Sequence, residues 1–397
     1  MKIDVLLTDG NYRNTYVILQ ALKEQGLKVG VLFNSFLSLS FFSRYPDKRY
    51  FINTDLLKDS SEKAFLQYKS ELIKILQNDE IRVFMPVGNL SFRFASQYED
   101  ELTKYTHVPI VKKEIIDIAQ NKKKTFEFAE KLGIPIPKTI YIEDKNDLST
   151  ILEKMNYPCV IKKTNFYEGG VIYCNNKSEL KENLNRLINK MRPGASYPII
   201  QEYIEGPGTG FYGIFNNGKC INFFMHERIR EYPITGGAST FAKSIYSDTL
   251  KNLGIKLLER LGWNGVAMVE FKKDIKDGSY KLIEINPKFW GSLELSYKAG
   301  INFPYLNYLI ALDEAQDFPL YTYKNDIYFR WILPDDMLWK KFASSDQKKY
   351  FKKMQIKNKI YNNLHWEDPL TVVFNSLITI YKLFTEKNFP HGNIKKV

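Results

Sequence analysis

The sequence predicts an α/β protein with an N-terminal parallel sheet, a strand-rich second half and a basic helical C-terminal segment. Apolar strand-like runs alternate with helical patterns over the first hundred residues, which is typical of a parallel sheet covered by helices. The chain has 397 residues, of which 44% are hydrophobic and 26% charged, and this is enough for two or three domains with substantial cores. Its net charge of +12 is unevenly spread toward the C-terminus.

The composition excludes several classes of site. The three cysteines, Cys159, Cys174 and Cys220, show no CxxC spacing, and the four histidines form no HxxxH pair. A disulfide framework and the common zinc motifs are therefore excluded. Because the N-terminus lacks a signal-peptide pattern and no apolar run is long enough to span a bilayer, we expect a cytoplasmic protein. Acid–base and metal chemistry must then rest mainly on Asp, Glu, Lys and Arg.

Residues 1–115 are predicted to form an α/β domain. In chain order, its expected elements are a strand at Ile3–Leu7, a helix at Asn14–Glu24, a strand at Val29–Phe33, a helix at Glu62–Gln77 and a strand at Val83–Val87. Such strands pair in parallel, and ligand loops lie at their carboxyl ends, here Thr8–Asn11 and Gly88–Asn89. A GxGxxG fingerprint is absent, which argues against a dinucleotide site of the NAD type.

A small α+β lobe is predicted for residues 116–200. Its expected elements include a helix at Lys122–Lys131 and strands at Cys159–Lys163 and Val171–Cys174. Asn176 followed by Glu179 is typical of a capping box at the start of another helix. The loop Thr164–Gly170 joins the two strands and is placed to close over a ligand.

Residues 201–315 are predicted to be rich in strands. The expected elements are strands at Pro198–Tyr203, Gly210–Phe215, Cys220–Met225, Val266–Lys272 and Tyr280–Ile285, with a helix at Asp248–Leu261. Asn216-Asn217-Gly218 predicts a hairpin turn. The segment Gly213–Cys220 fits GxxxxGK, but it ends in Cys and lies in that hairpin, so we reject a P-loop.

The most specific group of polar residues lies in the last two of these strands. Glu270 has apolar neighbours on both sides, and Glu284 and Asn286 alternate with apolar residues. Because side chains alternate along a strand, Glu284 and Asn286 share a face, and a hairpin over residues 273–279 would bring Glu270 beside them. Two carboxylates and an amide oxygen suit Mg²⁺ or Mn²⁺, with phosphates completing the shell. The alternative is a pair of edge-strand acids that face water.

Three further segments are candidates for ligand binding. Lys162 ends an apolar strand before a Gly-containing loop, where it can pair with a phosphate; the alternative is an ordinary hairpin. The edge backbone of Gln201–Tyr203 can contact an adenine, and the alternative is a plain strand and turn. Arg228 and Arg230, which share a face in a regular strand, can clamp carboxylate or phosphoryl oxygens beside the turn Thr235–Ser239, and the alternative is surface salt bridging.

The order of these elements resembles the ATP-grasp superfamily, specifically its carbamoyl-phosphate-synthetase-like ATP-dependent carboxylate–amine ligases. The resemblance covers about residues 1–312 and rests on Asn121-Lys122, Pro158–Lys162, Gln201–Gly206, His226–Ser239, Val269–Phe271 and Ile283–Ser292. It implies an N-terminal parallel-sheet domain over residues 1–115, followed by a two-lobed ATP-grasp fold. The small, lid lobe would be residues 116–200, and the large lobe with the metal site would be residues 201–315.

The resemblance also implies a reaction and a set of roles. A substrate carboxylate is activated as an acylphosphate with ATP and Mg²⁺, an amine or similar nucleophile captures it, and ADP and phosphate are released. The phosphate contacts would be Lys122 and Lys162, the adenine contacts Gln201, Glu202 and Tyr203, the metal ligands Glu270, Glu284 and Asn286, and the groups at the transferred phosphoryl Arg228, Arg230 and Lys288. Lys288 stands where an Arg is usual in the family, so the charge is kept but the bidentate fork is lost.

Residues 316–397 are predicted to form a basic helical extension, since they hold 14 Lys and Arg against 8 Asp and Glu. The favoured interpretation is a helical subdomain packed on the core. A second interpretation is a peripheral contact of its Lys-rich segment, Lys340–Lys359, with an anionic membrane. Nucleic-acid binding is the third, because no nucleic-acid motif accompanies the charge. For the whole chain, the alternative to a ligase is a catalytically reduced nucleotide-binding protein at a membrane or in a biosynthetic complex. The sequence is also compatible with an oligomer.

Overall fold

The computed structural model describes residues 1–57, 61–144, 148–164, 170–191, 195–233, 236–314, 323–353, 356 and 358–386. Its strands are β1 (Lys2–Leu7), β2 (Val29–Phe33), β3 (Lys48–Phe51), β4 (Glu80–Met85), β5 (Thr139–Tyr141), β6 (Cys159–Lys162), β7 (Val171–Cys174), β8 (Ile199–Glu202), β9 (Gly208–Asn216), β10 (Lys219–Tyr232), β11 (Ala238–Ser244), β12 (Gly265–Lys273), β13 (Tyr280–Asn286), β14 (Tyr328–Arg330) and β15 (Ile360–Asn362). Its α-helices are α1 (Arg13–Lys23), α2 (Glu62–Asn78), α3 (Asn89–Gln97), α4 (Glu99–Leu102), α5 (Lys113–Ala119), α6 (Lys122–Lys131), α7 (Leu148–Lys154), α8 (Lys177–Ile188), α9 (Asp248–Arg260), α10 (Leu293–Ala299), α11 (Phe303–Ala311), α12 (Met337–Phe342), α13 (Ser345–Lys353) and α14 (Pro369–Thr385).

The described chain divides into two compact units. Unit 1 combines Met1–Ile115, Phe211–Met268 and the segment that begins at Pro287. Unit 2 combines Ile116–Gly210 and Val269–Asn286. Along the sequence, unit 2 therefore interrupts unit 1 twice. The division into four consecutive domains stays a prediction from the sequence.

The N-terminal part of unit 1 contains the predicted parallel sheet. Its strand order is β3-β2-β1-β4, and Val5 pairs with Val29 on one side and with Val83 on the other. The edge strand β3 was not predicted, because its Lys-Arg start is typical of a polar loop; an edge strand accepts such charges because they reach water. The loops after β1 and β4 meet as expected, since the Gly88 amide donates to Asp9 Oδ2 at 2.8 Å.

Unit 1 also holds a mainly antiparallel set of strands. The turn between β9 and β10 has Asn217 at φ 48° and Gly218 at φ 84°, as a two-residue type I′ hairpin requires. This confirms that the GxxxxGK segment lies in a hairpin. β10 pairs with β11, β11 with β14 and β14 with β15. The last two strands come from residues 316–397, so this segment supplies strands as well as the helices expected from the sequence.

The C-terminal segment ends, within the described residues, at the 17-residue helix α14. Its rings and backbone pack on other parts of unit 1. Phe374 lies 4.5 Å from Phe42 between ring centroids, and Tyr232 donates a hydrogen bond of 2.9 Å to Glu386 just after the helix. Of the helices that the structure describes, none is both long and apolar enough to cross a bilayer.

Unit 2 is built around a four-stranded antiparallel sheet with the order β5-β8-β6-β7. Ile161 and Ile200 from the strands pack in one buried cluster with Leu180 from α8. Asn176 is the N-cap of α8, because the Glu179 amide donates to Asn176 Oδ1 at 2.9 Å. The Glu179 carboxylate accepts from the Asn175 amide at 2.9 Å, one residue before the position that a capping box uses. Unit 2 also contains β13 and the part of β12 from Val269 onward, which are neighbours in another sheet. These two strands carry Glu270, Glu284 and Asn286.

Candidate nucleotide and metal site

One face of β13 holds two of the predicted metal ligands. Asn286 Nδ2 donates to Glu284 Oε1 at 2.9 Å, so the two side chains share a face as the strand alternation predicts. This hydrogen bond uses Asn286 Nδ2, so Asn286 Oδ1 can serve as a metal ligand. Glu270 lies on β12, the neighbouring strand, which is where the predicted hairpin would place it. The three oxygen-bearing side chains are therefore carried by two adjacent strands of unit 2.

Lys122 is positioned by both its backbone and its side chain. It begins α6, whose N-cap residue Asn121 accepts from the Lys124 amide at 3.1 Å, and its own amide donates to Thr164 O at 2.9 Å. Its ammonium lies 2.9 Å from Glu284 Oε2. Burial raises the pKa of Glu284, but Lys122 and the Asn286 amide lower it further than burial raises it, so the net pKa lies below its usual range. Glu284 is thus held as a carboxylate.

Lys162 ends β6 and is almost fully buried, with 6% of its surface exposed. Burial lowers the pKa of its ammonium to about 7; Lys122 and Lys272 lower it as well, whereas Glu284 and Glu270 raise it. These charges act on one another only because they are close, so the five groups form one electrostatic cluster. A buried cation with several cationic neighbours is stabilised by an anion that enters the cluster.

Lys272 is the cluster member that the sequence did not single out. It lies two residues after Glu270 on β12, so the strand alternation places both on one face. Its ammonium donates to Ile204 O at 2.9 Å and lies 4.9 Å from the Tyr203 ring centroid. The two-residue spacing from Glu270 was the signal for Lys272 in the sequence. Its contact with Ile204 could not be predicted, because the two residues are 68 positions apart.

The residues expected at the adenine are held by β5 and by the strand β8 itself. Glu202 and Lys138 form two hydrogen bonds. The Glu202 amide donates to Lys138 O at 3.0 Å, and the Lys138 amide donates to Glu202 Oε1 at 2.8 Å. Gln201 is fully buried and donates to Thr139 Oγ1 at 2.8 Å. Within the described residues its Oε1 has no hydrogen-bond partner, which makes it a buried acceptor suited to an amino group of a ligand.

Mg²⁺ and nucleotide phosphates fit the chemistry of these residues. Hard oxygen donors from Glu270, Glu284 and Asn286 suit Mg²⁺, which usually keeps few protein ligands and takes others from phosphate and water. Lys122 and Lys162 supply the cations that phosphate requires. In the part of the chain that the structure describes, no group of three or more Asp, Glu, His or Cys could hold a metal. A metal held by the two glutamates and Asn286 would complete its shell with phosphate or water oxygens.

The remaining three predicted residues, Arg228, Arg230 and Lys288, lie in unit 1. The pairing of β10 with β11 shifts by one residue at this point, because Arg228 pairs with Ala242 and Arg230 with Phe241. Consecutive residues of β11 point to opposite faces, and so do the two arginines. The shared face expected from regular alternation is therefore not found. Arg228 is half-buried at 3.9 Å from Glu231, and Lys288 is half-buried after β13.

Arg230 lies in a buried ion-pair network. Its Nη2 is 2.7 Å from Asp336, which has no exposed surface and also pairs with Arg330. Its guanidinium lies 4.8 Å from the ring centroids of Phe241 and Trp339. Burial lowers the pKa of Arg230 to about 10, although Asp336 opposes this shift. These contacts give Arg230 a structural partner contributed by the C-terminal segment.

Two adjoining family models match this chain. Residues 119–210 match a RimK-like ATP-grasp domain, and residues 216–332 match the ATP-grasp in the biosynthetic pathway with Ter operon. The chain belongs to the ATP-grasp superfamily. This confirms the family that the sequence motifs predicted, and the matched residues include all the candidate site residues named above.

Curated and solved ATP-grasp relatives are distant. The D-aspartate ligase of Enterococcus faecium is 21% identical over 248 residues, which are 56% of this chain and 57% of the relative, so the chain spans little more than half of that protein's length. The biotin carboxylase domain dimer of 2-oxoglutarate carboxylase from Hydrogenobacter thermophilus, solved with MgADP and bicarbonate, is 16% identical with a TM-score of 0.62 over 83% of this chain and 74% of that one. The L-amino acid ligase of Bacillus licheniformis is 17% identical with a TM-score of 0.60 over 80% and 77%. These likenesses confirm the fold.

One predicted loop of the ATP-grasp site falls mostly outside the described residues, and a second begins outside them. The loop expected to close over a ligand is described only at Thr164 and Gly170. In the turn expected beside the arginines, Thr235 is outside the described residues as well. The described part of that turn includes Gly237, where a Cβ would lie 2.1 Å from Tyr232 O, so only glycine fits there.

Proposed function

We propose that this ATP-grasp protein is an ATP- and Mg²⁺-dependent ligase that joins a carboxylate to an amine or a similar nucleophile and releases ADP and phosphate. The observation that carries the proposal is the cluster in unit 2, where Lys122 and buried Lys162 lie with Glu270, Glu284 and Asn286. The names of the D-aspartate ligase and the L-amino acid ligase support the same class of reaction. Mn²⁺ is a chemically acceptable substitute for Mg²⁺ in such an oxygen site.

The lysines bind and orient the phosphates in this proposal. Lys122 now balances Glu284, and it can exchange this partner for a phosphate oxygen when the carboxylate turns to a metal. Lys162 gains an anionic partner at a buried position, where such a charge pair is strong. Mg²⁺ would supply neutralisation of the phosphate charge during in-line transfer. Gln201 Oε1 would accept from the adenine amino group, while Glu202 and Tyr203 frame the base.

The proposed reaction has two steps. A carboxylate oxygen of the substrate attacks the γ-phosphorus, and the bond from that phosphorus to the bridging oxygen of ADP breaks. The amine nitrogen then attacks the acyl carbon, loses a proton, and displaces phosphate. Arg228 and Lys288 are the cations proposed for the transferred phosphoryl group, with Arg230 as the third. Lys288 offers a point charge there in place of a bidentate fork.

Small-molecule carboxylates and amines are the proposed substrates, and a cytoplasmic location and an oligomeric state are proposed with them. Amino acids are the first substrates to test, because the names of the two ligase relatives point to them. A peripheral membrane contact through the Lys-rich segment is a separate proposal, which does not depend on catalysis.

The test is ADP release with Mg-ATP across a panel of amino acids, peptides and uronic-acid sugars. The expected result is ADP and phosphate formation that requires one carboxylate and one amine together. AMP and pyrophosphate as main products would overturn the acylphosphate mechanism. Binding of ATP without turnover on any pair would favour the catalytically reduced nucleotide-binding protein. Glu182→Gln, an exposed change on α8, is the matched control for charge removal in unit 2.

A further inference from the structure

The outer face of α14 is apolar, whereas two of its three buried side chains are polar. Leu370, Val373, Leu377 and Phe384 are 63%, 57%, 60% and 86% exposed. Thr371 and Thr379 on the opposite side are each only 1% exposed, although they are polar. A helix that faces water on one side shows the reverse arrangement. The outer face of α14 is therefore suited to an apolar environment.

This face continues into a ridge of aromatic side chains from the N-terminal part of unit 1. Ring centroids lie 4.5 Å apart between Phe374 and Phe42, 5.5 Å between Phe42 and Phe41, and 5.5 Å between Phe41 and Phe36. At the end of the ridge, Phe36 and Leu37 are 63% and 74% exposed. We call α14 and the segment Phe36–Phe42 together the apolar surface. Its two halves come from chain segments more than 300 residues apart in sequence.

The charges around the apolar surface are mostly positive. The one charged residue of α14 is Lys382, and the helix contains no Asp or Glu. Lys341 donates to Glu386 O at 3.0 Å and so lies at the C-terminal end of α14. Arg44 and Arg49 are exposed beside the aromatic ridge, and the Arg49 guanidinium lies 5.6 Å from the Phe41 ring centroid. An anionic partner complements this surface.

We infer that the apolar surface lies on an anionic phospholipid bilayer, with its apolar side chains in the interfacial region and the surrounding lysines and arginines at the headgroups. Exposed Trp366 and Tyr381 near the helix ends suit this region, since both have an apolar ring and a polar group. A second copy of this chain is a poorer occupant, because it would bring two surfaces with cations of the same sign together. Binding of this kind combines apolar burial with attraction to anionic lipid.

The inference is independent of the proposed ligase reaction, and its test needs no substrate. The full chain is mixed with vesicles of phosphatidylcholine alone or with phosphatidylglycerol, at low and high salt, and co-sedimentation is measured. We expect binding to the anionic vesicles that weakens with salt, and quenching of tryptophan fluorescence by brominated lipid. Leu370→Ser with Leu377→Ser should weaken binding at least ~10-fold, because both side chains would enter the interface.

The matched control is Ile275→Ser, which removes an equally exposed apolar side chain from unit 2, with 61% exposure in the native chain. It should bind vesicles as the unchanged protein does. The serine substitutions replace exposed residues and should leave the unfolding midpoint nearly unchanged. No binding to anionic vesicles would overturn the inference. So would a dimer in light scattering that the double variant converts to monomer without any vesicle binding, since a second copy would then cover the face.

Discussion

Replacing Arg230 by methionine separates a structural role from a role in phosphoryl transfer. The change removes a guanidinium whose side chain is 9% exposed, and leaves Asp336, which has no exposed surface, with Arg330 as its remaining cation. Breaking a buried ion pair from one side costs about 3–5 kcal/mol of unfolding free energy. Because Arg330 still compensates Asp336, we expect the lower part of that range, about 3 kcal/mol.

The assay is urea unfolding monitored by tryptophan fluorescence, since Trp339 lies against Arg230. Arg230→Met should lower the free energy of unfolding of unit 1, and Arg230→Met with Asp336→Asn should cost less than the sum of the single changes, because the pair acts together. Arg228→Met is the comparison: the loss of its contact with Glu231, at 3.9 Å between half-buried side chains, should by itself cost less than about 1 kcal/mol.

The same variants are also compared for ADP release and for ATP binding. If Arg230 has only a structural role, Arg230→Met should bind ATP as the unchanged protein does, when both are assayed at a low temperature at which the variant is folded. The reasoning is refuted if Arg230→Met unfolds at the unchanged urea concentration but loses turnover. That result would place Arg230 at the transferred phosphoryl group, as the sequence predicted.

Three further changes test other parts of the molecule. Glu284→Gln should lower ADP release at least ~100-fold, because this side chain, which is both a proposed metal ligand and the partner of Lys122, loses its charge. The control Glu182→Gln should leave ADP release unchanged. Burial raises the pKa of Glu294 to about 8 from the ordinary 4.5, so the contribution of this group to native stability falls as pH rises between these values. The unfolding free energy of Glu294→Gln, relative to that of the native protein, should therefore increase by about 2–3 kcal/mol between pH 6 and 8. Urea midpoints measured across this range test this, and a difference that does not change with pH would contradict it. Gly206→Ala should destabilise unit 2 by about 2–3 kcal/mol in thermal unfolding, because φ is +144° and the new Cβ would lie 1.9 Å from Lys273 O; unchanged melting would show that this backbone can move.

The sequence predicted the parts of the site that depend on local pattern. Glu284 and Asn286 could be placed on one face because strand alternation has a period of two residues. The N-cap contact between Asn176 and the Glu179 amide likewise involves residues three apart. The roles given to these residues remain proposals. What the pattern supplies is their placement, and the contact of 2.9 Å between Asn286 and Glu284 agrees with it.

Long-range pairing explains what the sequence could not predict. The shift that separates Arg228 from Arg230 exists only in the register of β10 against β11, and nothing in β10 alone signals it. Asp336 lies more than 100 residues after Arg230, so its place beside that guanidinium follows from the pairing of β14 with β11. The short strand β3 was missed for a different reason, since its charged start is tolerated only because it lies at an edge.

The way the chain is divided between the two units has a consequence for folding during synthesis. Every described segment of unit 2 has been made once the ribosome passes Asn286, whereas unit 1 still lacks β14, β15 and Asp336 at that point. Until these emerge, the edge of β11 stays unpaired and Arg230 has no carboxylate from this segment. A nascent chain therefore carries an open sheet edge, which can pair with other chains, until β14 has emerged. Chaperone binding during translation should accordingly concentrate on this interval and end when β14 closes the edge.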